Sequence, residues 1–388
     1  MWYFNSPQIV YGEDALSHLD TLRGERAFIV TDPTILKLGL VDVVREHLNI
    51  AGMQVAVFAE VESDPSLQTV RRGAEVVRDF APEWIIGLGG GSSMDAAKAI
   101  WILYEQPDLD PAEINPFVEF GLRQKARLIA IPTTSGTGAE ATWAIVLTDT
   151  EEQRKLGLGS RESLPDIAIV DPALVTNLPP RITADTGMDA LTHAVEGYTS
   201  AWRNDFCDGL CLKAIQLIFE YLPRAYARGS DDRQAREKLH NAACIAGLGF
   251  GNSMAALAHA LGHALGGVFH VPHGRAVGLF LPYTIEFTVR GGWTRYAEIA
   301  RFLGLPAGDE AEGAASLVQA IRDLARRIEQ PLTIREVGIA QEDFVANLTR
   351  LVANAETDTS MVTCARMPNT GQSEQLFRYA YEGKEVDF

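Results

Sequence analysis

The sequence predicts two architectures in one chain, an α/β N-terminal domain on a parallel sheet and an all-helical C-terminal domain. From residue 26 to about residue 171, short β-branched runs alternate with amphipathic segments at the spacing of a strand and its covering helix. Pro179-Pro180 then stops any regular element. Beyond it the chain is rich in Ala and Leu with almost no β-branched runs, which sets domains of 1–178 and 179–388.

The apolar opening "MWYFNSPQIVYG" reads as an exposed edge strand able to pair with another chain. "RAFIVTD" is a strand followed by a helix over 35–51, and "QVAVFAE" a strand followed by a helix over 66–80. "EWIIGLG" is a strand leading to a helix over 94–104, and "RLIAIPTT" is the next strand. Residues 105–126 form a Pro- and acid-rich excursion at the surface. In the second half one helix is expected to end near Gly266-Gly267, and Pro272 places His273 on the loop beyond it.

With 388 residues, 47% of them hydrophobic, the chain can bury a sizeable core. Its 51 acidic against 34 basic residues leave a net charge of −17 with no Lys/Arg block. That balance argues against nucleic acid and anionic membranes and for a small-molecule partner. No basic and apolar leader is read at the N-terminus. The long weakly polar run "CIAGLGFGNSMAALAHALGHALGG" carries Asn252, His259 and His263, costly in lipid, so it reads as a buried helix. Cys207, Cys211, Cys244 and Cys364 make no CxxC pair, and buried free thiols point to a reducing, cytoplasmic location.

In "EWIIGLGGGSSMDAAKAI" a strand runs through Gly89, Gly90 and Gly91 into a helix. Glycines let the backbone approach an anion, and the helix N-terminus offers unpaired N–H groups, so the loop suits a diphosphate. Ser92 and Asp95 also fit a capping box on an ordinary turn. The Gly87-x-Gly89 start lacks the third glycine of the Rossmann fingerprint. "IPTTSGTGAEAT" adds Thr133, Thr134, Thr137 and Thr142 after another strand, as phosphate or ribose partners or as a local hydroxyl turn. Asp32 ends a strand, where its carboxylate can accept from a ribose 2′-hydroxyl and repel a 2′-phosphate, or simply close a turn before Pro33.

The helical half concentrates metal-binding chemistry. "TGMDALTHAVEGY" sets Asp189 and His193 four apart on one helix face, and His259 and His263 repeat that spacing. Ala260 stands where a zinc peptidase needs its glutamate, so peptidase chemistry is not expected. One aspartate and three or four histidines at chelating spacing point to a divalent transition metal. His270 has no assigned role, with packing on the cofactor side or solvent exposure both open.

Taken as an ordered set, "GGGSSMDAAKA", "IPTTSGTGAEAT", "GMDALTHAVEGY", "HALGHALGG" with "PHG", and "MPNTGQSEQLFRYAYEG" resemble the iron-containing (group III) alcohol dehydrogenase family over essentially the whole chain. The resemblance implies a Rossmann-like α/β dinucleotide-binding domain joined to a helical metal domain. It implies Asp189, His193, His259 and His273 as ligands to Fe²⁺, with Zn²⁺ the alternative, and His263 as a non-ligand beside the metal, acting as acid/base or positioning residue. It maps the diphosphate loop to Gly90, Gly91 and Ser92 with Asp95, the second nucleotide loop to Thr133, Thr134, Thr137 and Thr142, and a cofactor-contacting lysine to Lys155. Asp32 matches the family's acid at the adenosine ribose, which favours NAD. Ala144, after Trp143, departs from the polar residue that several members carry near the nicotinamide.

The implied activity interconverts small primary alcohols or diols and aldehydes with NAD(H), by hydride transfer at a metal-bound oxygen, in a homodimer or larger homo-oligomer. A maleylacetate-type reductase of an acidic carbonyl compound would need a cation near the metal, and Arg275 is the obvious one. A glycerol-type polyol dehydrogenase generally uses three protein ligands rather than four. A dehydroquinate-synthase-like lyase would need a Lys- and Arg-rich pocket, which the helical half does not supply.

Overall fold

A computed structural model describes residues 3–152, 154–293 and 295–388. They form two compact units that part between Asn177 and Leu178.

The first unit holds β1 (Gln8–Tyr11), β2 (Arg26–Val30), β3 (Gln54–Phe58), β4 (Trp84–Gly89), β5 (Arg127–Pro132), β6 (Ala144–Asp149), β7 (Arg154–Gly159) and β8 (Ile167–Val170). Six of these make an all-parallel sheet in the order β1-β8-β5-β4-β2-β3, while β6 and β7 form a separate antiparallel hairpin. Helices α1 (Pro33–Lys37), α2 (Leu40–Ile50), α3 (Leu67–Phe80) and α4 (Gly91–Glu105) connect the strands.

Strand side chains alternate between two faces, so each strand feeds two cores. Ile29, Ile86 and Ile129 pack with Val41, Val44 and Leu48 of α2. Phe28, Ile85 and Leu128 pack with Val70 and Val77 of α3 and Ile100 and Trp101 of α4. Every residue of β4 is buried, as expected of a central parallel strand covered on both faces. Gly87 lets α4 sit close on β4, because a Cβ there would come within 2.9 Å of Ala97 Cβ.

The helix expected over 35–51 is two helices. Asp32 caps α1 through its side chain, and Gly39, at φ +77°, breaks the run before α2.

Among its described residues the second unit holds helices and no strand: α5 (Pro180–Thr199), α6 (Asp205–Arg228), α7 (Arg233–Phe250), α8 (Leu257–Phe269), α9 (His273–Arg290), α10 (Tyr296–Phe302), α11 (Glu310–Arg327), α12 (Gln341–Glu356) and α13 (Thr370–Glu382). Among the described residues, no helix is long and apolar enough to cross a membrane.

Two expectations here need correction. Helix α8 runs through Gly266 and Gly267 to Phe269, and the left-handed residue that closes it is His270, at φ +55°, not a glycine. His273 is not on a loop: it is the first residue of α9, since Pro272, with φ preset and no N–H to satisfy, begins a helix as readily as it ends one. His270 is the left-handed C-cap of α8, its N–H bonded to Gly266 O at 2.9 Å and its side chain exposed.

Candidate active site

Three helices bring one aspartate and three histidines together. Asp189 and His193 lie one turn apart on α5, His259 lies on α8 and His273 opens α9. The close approach depends on missing side chains. A Cβ at Gly274 would fall 2.1 Å from Asp185 O and 2.9 Å from Asp189 Cβ, and one at Gly278 2.9 Å from Met188 Cβ, so α9 can lie against α5 only with glycine at both. Gly262 does the same for α8 on α9, where a Cβ would meet Val277 Cγ1 at 2.6 Å.

The four donor atoms all lie within 4.8 Å of one another. Asp189 Oδ1 is 3.1 Å from His273 Nε2, 3.8 Å from His193 Nδ1 and 3.9 Å from His259 Nε2. Donors sharing a tetrahedral ion at ordinary Zn–N or Zn–O distances stand about 3.4 Å apart. Asp189 Oδ1, His193 Nδ1 and His259 Nε2 are each buried without a hydrogen-bond partner. Unpaired buried polar atoms are costly, and three aimed at one point have the donor set and spacing of a divalent transition-metal site.

Burial would raise the Asp189 carboxyl, but His193, then His273 and His259, overcome it and hold it well below the usual carboxylate range. Burial drives His193 well below its ordinary value despite Asp189, so its ring is neutral and its nitrogen free to ligate. Phe250 stacks on that ring with centroids 3.9 Å apart and planes 9° off parallel.

Two carboxylates that the sequence reading left unassigned support the cluster. Glu196, buried on α5, accepts from His259 Nδ1 at 2.5 Å and from the N–H groups of Ala256 and Ala258 at 2.9 and 2.6 Å. It therefore caps α8 and turns His259 Nε2 toward Asp189. Its signal was present in "THAVEGY", three residues past His193 on the same helix. Asp358 lies in a separate segment and bonds His263 Nδ1 at 2.7 Å, while its other oxygen accepts from Ser360 N–H. Burial would raise the Asp358 carboxyl, yet His263 and Ser360 hold it well below the carboxylate range. His263 stacks on His273 at 5.2 Å and meets His259 edge-on at 5.8 Å, beside the four donors and not among them.

In the first unit, the nucleotide-type residues gather at the C-terminal ends of β2, β4 and β5, where open parallel sheets take their ligands. Ser93 Oγ donates to Asp32 Oδ2 at 3.3 Å, and a Cβ on Gly89, which adopts φ +149°, would strike Ser93 Oγ at 2.5 Å. Gly90 faces Thr134, and a Cβ on Gly91 would lie 2.8 Å from Thr137 Cγ2. Thr133 and Thr142 are buried behind them. Asp32 is also the cap of α1, accepting from Thr34 and Ile35 N–H, as its turn-closing reading expects.

The capping box expected between Ser92 and Asp95 does not form. Ser92 Oγ donates to Ser63 O instead, and Asp95 turns inward to accept from Val146 N–H at 3.0 Å and pair with Lys98 at 3.4 Å. Lys155 pairs with Asp64 at 2.7 Å. Arg275 is neutralised by both oxygens of Asp185, and it lines a cavity of about 820 Å³ whose lining includes none of the four donors.

Comparison with known proteins agrees with this geometry. Residues 6–172 match the family described as iron-containing alcohol dehydrogenase, and residues 183–381 match the C-terminal part of the Fe-containing alcohol dehydrogenase family. The chain is 40% identical to the NADPH-dependent butanol dehydrogenase of Clostridium saccharobutylicum over 100% of both chains. It superposes on a 1,3-propanediol oxidoreductase with TM-score 0.91 and 33% identity, covering 98% of this chain and 100% of that one. It also superposes on the sulfoacetaldehyde reductase of Bifidobacterium kashiwanohense, solved with NAD⁺, with TM-score 0.85 and 28% identity over 98% of each chain. A buried Asp–His₃ cluster in a helical unit, a glycine loop in a parallel-sheet unit and these matches converge: the chain belongs to the iron-containing alcohol dehydrogenase family and is an enzyme that interconverts alcohols and aldehydes.

Proposed function

We propose that the enzyme acts on small primary alcohols or diols and their aldehydes with NAD(H), using Fe²⁺, with Zn²⁺ the alternative, held by Asp189, His193, His259 and His273. The observation that carries this reading is the convergence of three buried, unpartnered donors on one point. When bound, the cation supplies a Lewis acid for the substrate oxygen and the nicotinamide exchanges the hydride.

The chain's own residues do the rest. Asp189 contributes the negative charge and three neutral imidazoles contribute nitrogen donors. Glu196 holds one tautomer of His259. His263, with Nδ1 committed to Asp358, keeps Nε2 as the nitrogen able to take the alcohol's proton or return it to the aldehyde. Gly90, Gly91 and Ser92 are assigned to the diphosphate, Thr133, Thr134, Thr137 and Thr142 to the second nucleotide loop, and Lys155, released from Asp64, to the cofactor. Asp95 supports this loop from inside. Asp32, beside Ser93 and Gly89, would repel a 2′-phosphate and favours NAD(H), in contrast to the NADPH named for the Clostridium relative. Arg275 is already paired with Asp185, which weakens the acidic-carbonyl alternative.

Self-association is assigned to β1, which among the described residues pairs only with β8 and leaves its other edge open; light scattering that finds a monomer would remove it. Cys207, Cys211 and Cys364 are free thiols, which supports a reducing, cytoplasmic setting. The deciding experiment follows absorbance at 340 nm with NAD⁺ and a panel of primary alcohols and diols, after anaerobic purification, with and without Fe²⁺ or Zn²⁺. No signal across the panel overturns the substrate reading. A higher kcat/KM with NADP⁺ than with NAD⁺, or no change in that preference in Asp32→Gly, overturns the cofactor assignment.

A further inference from the structure

The helical unit encloses a small cavity of about 20 Å³, and part of its wall is Glu196, the carboxylate that holds His259. Thr199 of the same helix, Thr284 and Thr288 of α9 and Tyr296 at the start of α10 line it as well. None of these five residues is more than 5% exposed. Cys364, Ala365, Arg366 and apolar side chains close the rest. Cavities that stay empty inside proteins are apolar, whereas a polar one of roughly 10–15 Å³ or more takes a water that finds polar partners in its walls.

The directions of the hydrogen bonds around the cavity define its occupant. Thr199 Oγ1 donates to Val195 O at 2.9 Å, Thr284 Oγ1 to Leu281 O at 3.0 Å and Thr288 Oγ1 to Thr284 O at 2.6 Å. Each hydroxyl spends its hydrogen on its own helix and keeps only lone pairs for the cavity. The Cys364 thiol likewise donates to Ser360 O at 3.6 Å. Glu196 takes hydrogens from Ala256 N–H, Ala258 N–H and His259 Nδ1, while a carboxylate can accept about four. The walls are therefore rich in acceptors and call for a donor. The Tyr296 hydroxyl, set against Thr288 and Thr199, brings one hydrogen to this group. Arg366 puts a cation in the same wall, its Nη1 given to Phe287 O and Phe388 O, and a guanidinium there disfavours a metal or ammonium ion. A neutral donor of one-water size satisfies all of these groups.

We propose that the cavity is the seat of one ordered water that accepts from Tyr296 and donates to Glu196 and a threonine oxygen, completing the hydrogen-bond shell of the carboxylate that orients His259. Without it a buried carboxylate is short of a donor, and its adjustment carries the His259 ring along. Through this water Tyr296 is a positioning residue for the metal. That role rests on the assignment of Asp189, His193, His259 and His273 as ligands; the water itself does not.

The first test is a high-resolution crystal structure of the full-length enzyme supplied with Zn²⁺. One peak should occupy the cavity at hydrogen-bond distance from a Glu196 oxygen and the Tyr296 hydroxyl; a dry cavity overturns the proposal. Crystals soaked in rubidium chloride should give no anomalous signal there, and a signal would make the occupant a cation and overturn it as well. The second test is Tyr296→Phe, which keeps the ring and removes the hydroxyl. The peak should be lost, and the Kd for Zn²⁺, read by chelator competition, should rise about ten-fold, as when other partners behind a metal ligand are removed. A purely structural role would lower the melting temperature of the metal-free protein and leave that Kd at the parent's value, which overturns the positioning role. Should Tyr296→Phe fail to fold, Thr284→Val decides by the same two readouts, with loss of the peak and weaker Zn²⁺ binding expected. A parent that binds neither Fe²⁺ nor Zn²⁺ would instead remove the ligand assignment, and the peak beside Glu196 would still stand or fall by the crystal structure.

Discussion

The four-donor cluster of the helical unit and the glycine and threonine loops of the sheet unit are built from different parts of the chain. The cluster is made of side chains, with two donors at helical spacing on α5, one on α8 and the first residue of α9 beside them. The loops are made mostly of backbone, with glycines at strand ends where a Cβ would collide with Ser93 or Thr137. Glycine matters in both, for different reasons. Gly274 and Gly278 bring two helices close enough for their side chains to meet, whereas Gly89 and Gly91 let the loop after β4 close on Ser93 and Thr137. A site made of side chains fails by losing a donor; one made of backbone fails by gaining an atom.

The largest effect should follow from removing the donor that the three imidazoles share. Asp189→Ala is expected to lose bound metal and cut activity about a thousand-fold or more, while NAD⁺ affinity stays near that of the parent; metal analysis and NAD⁺ titration on one sample check both halves. Next in size is the residue beside the cluster. Asp358→Asn should lower kcat about ten- to a hundred-fold with metal retained, as should His263→Ala, because a general acid/base held in the wrong tautomer is lost without disturbing the ligands. Loss of stoichiometric metal in His263→Ala would show that His263 is a ligand after all.

Gly91→Ala is the mirror of the aspartate variant. Its new Cβ, 2.8 Å from Thr137, should raise the KM for NAD⁺ about ten-fold and leave metal content unchanged. A fall in metal content there would undo the separation of the two sites. The smallest effect concerns stability. Burial pushes His240 of α7 down to about 3, below the value of about 6.5 expected in the unfolded chain. Between those values the unfolded state binds a proton that the native state does not, so stability falls as pH drops below about 6.5 and levels off near 3. His240→Gln should therefore lose less stability than the parent between pH 7.5 and pH 5, by about 2 kcal/mol, read from denaturant midpoints at the two values.

How much could be read in advance differed between the two sites. The Asp189–His193 and His259–His263 spacings are local helical periods, so their shared faces were visible in the sequence. So were the alternation of strands and helices and the glycine run after β4. Pro272 was misread because proline both ends and begins helices, and the choice depends on what α9 packs against. Asp95 was read as a cap from its spacing to Ser92, but a buried lysine one turn later and the N–H of Val146 compete for the same carboxylate and win it.

By itself, the sequence determined the two architectures and the helical spacings of Asp189 with His193 and of His259 with His263, because strand alternation and the helical turn act over a few residues. Only the tertiary structure decided that His263 pairs with Asp358, 95 residues away, and that Lys98 closes on Ala144 O, 46 residues away. Such pairs follow no local period. They are set by which buried polar groups packing leaves in need of a partner, and that depends on the whole fold.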